Sequence, residues 1–171
     1  MAPTTLHVLQ SRRATFNKSR KGANRALNWP HPLTNTASKP SSSTIHPDHL
    51  AAAGFYSTPT AEEPTRSTCY LCESVVDSWE EGDDPLERHL ELNDSCGWAV
   101  LQQLQGDWAQ YEGTRDKKEW AAAFGKAGEL HPRSERVRSA RASSFSVGWP
   151  HTGVKGVPTA EEVSCCSSGR S

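Results

Sequence analysis

The sequence predicts a small α+β domain that occupies only part of the chain, and three observations point there. Short strand candidates at 68–71 and 74–76 flank a Cys-x2-Cys pair. Two segments, one at Pro47 and one at Asp84-Pro85, carry strong helix-start signals. Apolar residues make up 35% of 171 positions and mean hydropathy is -0.70. A fully packed domain carries roughly 45–50% apolar residues, so one core filling the whole chain is not expected.

Taken in order, residues 1–9 have neither the basic region nor the apolar run of a secretory signal, and they are expected to be disordered. No window of about 18 apolar residues is present, so no membrane span is expected. The expected compartment is reducing, cytosol or nucleus. Lys18 to Arg25 is a basic block without hydrophobic periodicity and reads as a solvated loop, within a flexible insertion near 17–28. A second flexible insertion, near 34–44, is dominated by Ser, Thr, Asn, Lys and Pro, which bury too little apolar area to offset the entropy of ordering. Residues 45–54 predict a short helix, with Pro47 in its first turn and Gly54 as the left-handed residue that ends it. Phe55 and Tyr56 follow as an aromatic exit. Asp84-Pro85-Leu86-Glu87 supplies an acidic cap, a proline at the first helical position and a Glu three residues after the cap. Leu86, His89, Leu90 and Asn93 then share one face. A further helix opens at Cys96-Gly97-Trp98, and weaker helical signal continues from Trp108 to Phe124.

Charge is partitioned. Residues 1–50 are basic, whereas 62–96 are strongly acidic, and the whole chain carries a formal net charge of -1. That balance provides no global field for nucleic acid or membrane. The basic block lacks interleaved aromatic residues, which argues against direct nucleic-acid binding.

The informative constellation is Cys69-x2-Cys72-x16-His89-x6-Cys96. Three thiolates and one imidazole make a closed tetrahedral shell for one structural Zn2+. Four ligands from three elements would staple a region too small to hold itself together. A closed shell has no open position for water, which argues against a zinc hydrolase. A redox Cys-x2-Cys lacks its βαβ setting here, Cys–His nucleophilic catalysis would compete for the same residues, and buried structural cysteine is the plain alternative.

Further motifs agree with that site. Arg12-Arg13-Ala14-Thr15-Phe16, Trp29-Pro30, Leu50-Ala51-Ala52-Ala53-Gly54-Phe55-Tyr56 and Trp79-Glu80-Glu81-Gly82-Asp83-Asp84-Pro85-Leu86-Glu87-Arg88-His89 accompany the ligand spacing. Together they resemble the baculovirus inhibitor-of-apoptosis repeat (BIR) family, in particular its fungal survivin-like chromosomal passenger members. The resemblance implies a zinc-stapled fold over 10–105, with a short three-stranded antiparallel sheet surrounded by short helices. It also implies that Arg12 is a buried structural arginine and Gly54 a backbone-permissive turn. It implies a groove in which an extended segment with a free N-terminal Ala lies along the sheet edge. Asp83 would hold the ammonium, Trp79 would wall the pocket for the first methyl group with Val76 alongside, and Asp77 would occupy a further groove position. Glu80, Glu81 and Asp84 read instead as a solvated helix entrance, with Asp84 as N-cap.

The function implied is non-enzymatic: a module that recognises Ala-first N-termini such as the histone H3 tail within a mitotic passenger scaffold, in the nucleus at centromere and spindle and in the cytoplasm. Passenger-complex proteins are the partners implied for a full-length relative. The alternative is inhibition of apoptotic cysteine proteases through the same groove. Survivin reads a phosphothreonine with a Lys and a His; Ser74 and Leu92 stand at the matching positions here, so weak phosphate dependence is expected unless Arg88 or the basic loop substitutes.

Residues 106–137 are expected to form a helical or polar linker. Arg141-Ala142-Ser143-Ser144-Phe145 and Trp149-Pro150-His151 echo the head of the first unit, so 138–171 resembles an incomplete second BIR unit, expected to be disordered. Cys165-Cys166, without a later His, does not reproduce the ligand set, and a truncated or mispredicted chain end is the expected reason.

Overall fold

The structure, a computed structural model, describes residues 5–17, 20–21, 26–31, 45–112, 118, 131, 133–145, 153–159 and 162. The insertion expected near 34–44, half of the one near 17–28, and Trp149, Cys165 and Cys166 lie outside the described residues. The chain divides into two units, Met1–Asn93 and Asp94–Ser171.

In the first unit, α1 (Leu9–Phe16) turns Arg12, Thr15 and Phe16 inward. A two-residue ladder pairs β1 (Arg20–Lys21) with β2 (Ala26–Leu27). Helix α2 (Pro47–Ala52) begins at Pro47, whose missing N–H costs nothing in a first turn. Its N-cap is the ring of His46, which accepts the Asp48 N–H at 3.2 Å. After the C-cap Ala53, Gly54 adopts φ 101, a conformation that strains any residue with a Cβ. The chain therefore reverses directly into β3 (Phe55–Ser57).

Strands β3, β4 (Ser67–Cys69) and β5 (Val75–Val76) form a three-stranded antiparallel sheet in the order β3-β4-β5. The aromatic exit expected at Phe55 and Tyr56 is itself a strand, paired Phe55 with Cys69 and Tyr56 with Thr68. Alternation sets the two faces. Phe55, Ser57, Ser67, Cys69 and Val76 point into the core, while Tyr56, Thr68 and Val75 lie on the half-buried outer face. The 68–71 strand expectation ends two residues early because Tyr70 and Leu71 belong to the turn that reverses the chain into β5.

Helix α3 (Pro85–Leu92) is capped by Asp84, whose Oδ1 accepts the N–H groups of Leu86 and Glu87 at 2.9 Å each. Asn93 leaves the expected helical face: as C-cap it takes an extended backbone, φ -155. The core of this unit is aromatic. Phe16 meets Trp29 edge-on at 4.9 Å and Phe55 meets Trp79 edge-on at 5.2 Å, an arrangement favoured by the ring quadrupoles. Thr15 stitches α1 to the sheet by accepting the Ser57 N–H at 2.8 Å.

The second unit contains α4 (Gly97–Glu112) and α5 (Glu135–Ser144). Ser134 caps α5, and Val137 and Ala140 are buried. Approach to α4 is close: a Cβ at Gly97 would stand 2.3 Å from the Ala140 carbonyl oxygen. Arg136 donates to Gln103 at 2.8 Å. The expected boundary at 137/138 falls inside α5, which runs to Ser144 with Phe145 as its C-cap.

Replacing Asp84 with Ala strips two amide partners from the start of α3. Chemical denaturation should register a loss of about 1 kcal/mol, the usual worth of such a cap.

Candidate metal centre

The four predicted ligands come together. The ligand atoms of Cys69, Cys72, His89 and Cys96 all lie within 4.8 Å of one another. Cys69, His89 and Cys96 are buried and Cys72 is half-buried. Zn–S and Zn–N bonds of ordinary length give tetrahedron edges of about 3.5–3.8 Å, and the Cys72 Sγ to His89 Nε2 separation is 3.3 Å. Both the donor set and the spacing therefore fit one zinc ion.

Each ligand is aimed by local structure. Cys69 ends β4, and Cys72 lies in the turn that follows. Two backbone bonds close this knuckle: Glu73 N–H to the Cys69 carbonyl at 3.1 Å, and Cys69 N–H to the Ser74 carbonyl at 2.8 Å. Glu73 carries φ 61, the left-handed conformation uncommon outside glycine, so the turn holds local strain that the ligand pair must compensate. The Leu71 N–H points at Cys69 Sγ from 3.4 Å, and Ser74 Oγ lies 3.2 Å from Cys72 Sγ. Polar hydrogens of this kind stabilise thiolate.

His89 comes from the middle of α3. Its Nδ1 lies 2.7 Å from the Ala53 carbonyl, which has only lone pairs to offer, so Nδ1 carries the proton and donates. The Nε2 lone pair is thereby left facing Cys72. An imidazole anchored through one nitrogen and ligating through the other is the usual second-sphere arrangement of a zinc histidine. The imidazole also packs against Phe55, at 4.8 Å between ring centres.

The remaining predicted site residues group around β5, the outermost strand of the sheet. Asp77 follows it and is exposed, with its carboxylate 3.3 Å from Arg66 Nε. Asp83 sits in a turn closed on itself: its N–H donates to the Glu80 carbonyl at 3.2 Å and its Oδ2 accepts the Glu80 N–H at 2.9 Å. Gly82, at φ 106, supplies the positive φ that this turn demands. Val76 and Trp79 are each only 4% exposed. The indole Nε1 of Trp79 donates to Ser67 Oγ at 2.8 Å, which holds the ring inside against Phe55. Arg88, a candidate phosphate partner, is already bound to Glu91 at 2.8 Å, and that bond raises its pKa further. Arg12 is fully buried, with its pKa lowered by desolvation.

Sequence reasoning missed the supporting groups. The Ala53 carbonyl, the Phe55 ring and the Ser67 hydroxyl each hold a site residue, and no residue type or spacing announces those contacts. Burial lowers the pKa of His31, and Glu81 of the acidic turn works against that shift.

The chain is similar in sequence to known proteins. The sequence profile of the BIR family, described as an Inhibitor of Apoptosis domain, matches residues 12–100. The chromosomal passenger complex protein bir1 of Schizosaccharomyces pombe is 38% identical over 60 residues, 32% of this chain and 6% of that protein. Baculoviral IAP repeat-containing protein 5.1 of Xenopus tropicalis is 36% identical over 61 residues, 36% of this chain and 38% of the relative. Baculoviral IAP repeat-containing protein 5 of Mus musculus is 33% identical over 55 residues, 32% of this chain and 39% of the relative. The match thus spans well under half the length of each of these relatives.

Elemental analysis of the purified chain should find one zinc per molecule, and Cys96→Ser should lower that content sharply. A strong chelator should unfold the first unit, read as loss of near-ultraviolet circular dichroism, and added zinc should restore it.

Proposed function

The chain belongs to the BIR family, and from that premise we propose that it is a non-enzymatic, zinc-stabilised module that binds polypeptide N-termini beginning with Ala, the histone H3 tail among them. The observation that carries this reading is the outer edge of β5. Strand order leaves that edge without a strand partner among the described residues, and the carboxylates of Asp77 and Asp83 follow it. An extended peptide would add its backbone hydrogen bonds there, and its ammonium group would meet carboxylate charge. Asp83 is the better-placed acceptor, because the Glu80–Asp83 turn presets its orientation and little entropy is lost on binding. Trp79 and Val76 would back the edge and limit the room for the first side chain to a methyl group.

The ion in this reading is Zn2+, and its part is structural: it holds β4, the knuckle and α3 in place beneath the groove. By extension from bir1, whose name states a chromosomal passenger complex, the chain would act within such a scaffold during mitosis, in the nucleus at centromere and spindle and in the cytoplasm. Passenger-complex proteins would be its partners. The family's description as an Inhibitor of Apoptosis domain favours one second reading, inhibition of apoptotic cysteine proteases through the same edge.

Calorimetric titration with an Ala-first histone H3 peptide should show binding that N-terminal acetylation weakens by at least tenfold. Asp83→Asn should weaken it by roughly 10- to 150-fold, in line with loss of a charge-assisted hydrogen bond of about 1.5–3 kcal/mol. Binding to the acetylated peptide with undiminished affinity would overturn amine capture.

Phosphorylation of the peptide's threonine should change affinity by less than tenfold, because Ser74 carries no charge, Leu92 is apolar and Arg88 is engaged by Glu91. A larger gain would show that a cation of this chain reads phosphate. Tight binding of Ala-first pro-apoptotic peptides together with protease inhibition would favour the second reading.

A further inference from the structure

Helix α2 ends among buried donors from two other helices. From α1, Arg12 Nε donates to the Ala51 carbonyl at 2.9 Å. From α3, His89 Nδ1 donates to the Ala53 carbonyl at 2.7 Å. The same Ala51 carbonyl also accepts the Gly54 N–H at 3.2 Å, closing the turn that contains Ala53. Arg12 therefore grips the turn whose next carbonyl orients a metal ligand. Its guanidinium carbon lies over the Tyr70 ring, 4.5 Å from the ring centre. Tyr70 is the first residue inside the Cys69–Cys72 knuckle, and its N–H is bound to the Gly54 carbonyl at 3.1 Å. One side chain thus touches the supports of both halves of the ligand set.

Charge adds a second argument. A divalent ion with three thiolates and a neutral imidazole carries net negative charge in a largely buried place, where an uncompensated charge is costly. Arg12 is 0% exposed, a rare position for a cation. Two further bonds, from NH1 to the carbonyls of Leu6 at 2.8 Å and His7 at 3.0 Å, hold the guanidinium in place. Desolvation works against its charge, and Tyr70 and then Cys69 work for it.

We propose that Arg12 is the positioning and countercharge residue of the metal centre: it fixes the α2 turn that aims His89 and sets a buried positive charge beside the thiolate knuckle. The role goes beyond packing and is independent of what the sheet edge binds.

The experiment compares the full chain with Arg12→Met, Arg12→Lys and Phe16→Leu. The last is a core change on the same helix, whose ring packs on Trp29, and it reports what lost stability alone does to apparent metal affinity. Zinc affinity is read by competition with a chromophoric chelator, and ligand geometry by the visible spectrum of the cobalt-loaded protein. Arg12→Met is expected to bind zinc at least tenfold more weakly than Phe16→Leu, within the 10–100-fold range of outer-shell changes, and to shift the cobalt bands. Arg12→Lys, which keeps the charge but not the planar fork, is expected to fall between Arg12→Met and the unaltered chain in both readings. Equality of Arg12→Met with Phe16→Leu in either reading overturns the proposal. If Arg12→Met does not fold even with zinc, Arg12→Lys decides by the same comparison: cobalt bands identical to those of the unaltered chain overturn it, and shifted bands support it.

Discussion

One hydrogen bond, from His89 Nδ1 to the carbonyl of Ala53, constrains much of the first unit. It chooses the tautomer of a buried imidazole and so decides which nitrogen faces the cysteines. The carbonyl exists at that spot because α2 stops at Ala52 and Gly54 takes a positive φ, which turns the chain into β3. The histidine is there because Asp84 and Pro85 start α3 at the right residue. Two short helices that would be marginal alone are thereby tied to one another through a ligand, and a ligand set of this chemistry contributes folding energy outright when the ion binds.

The same arrangement links the metal centre to the surface proposed for recognition. Phe55 packs on His89 with one part of its environment and on Trp79 with another. Trp79 is in turn fastened to Ser67 on β4. Metal ligand, core ring and edge residue thus form a contiguous packed series, and the edge of β5 inherits its rigidity from it. A sheet of two- and three-residue strands has too few ladder bonds to stay ordered alone. This gives a physical reason for a metal beneath the edge proposed for recognition.

Much of the site is legible in the residues themselves. Ligand identity follows from coordination chemistry, since thiolate and imidazole at such spacings have few competing explanations. The start of α3 follows from its cap, because Asp84 satisfies amides that any helix start leaves open. The end of α2 follows from Gly54. Other features resisted reading. Phe55 and Tyr56 look like the tail of a helix, yet they pair as a strand because β4 lies alongside, and a partner across the sheet is invisible to local pattern. Helix α5 carries little apolar signal in its sequence, and its buried residues are Val137 and Ala140.

The sequence by itself determined which atoms can grip an ion and where two helices begin and end, because donor chemistry, capping and φ preference are properties of a residue and its immediate neighbours. Tertiary structure alone decided that Trp79 and Val76 are buried, that Arg88 is taken by Glu91, and that a buried guanidinium meets the same turn as a metal ligand. Those outcomes depend on which distant carbonyl, ring or carboxylate arrives within hydrogen-bonding range. That is set by how whole elements pack, a quantity no local pattern encodes.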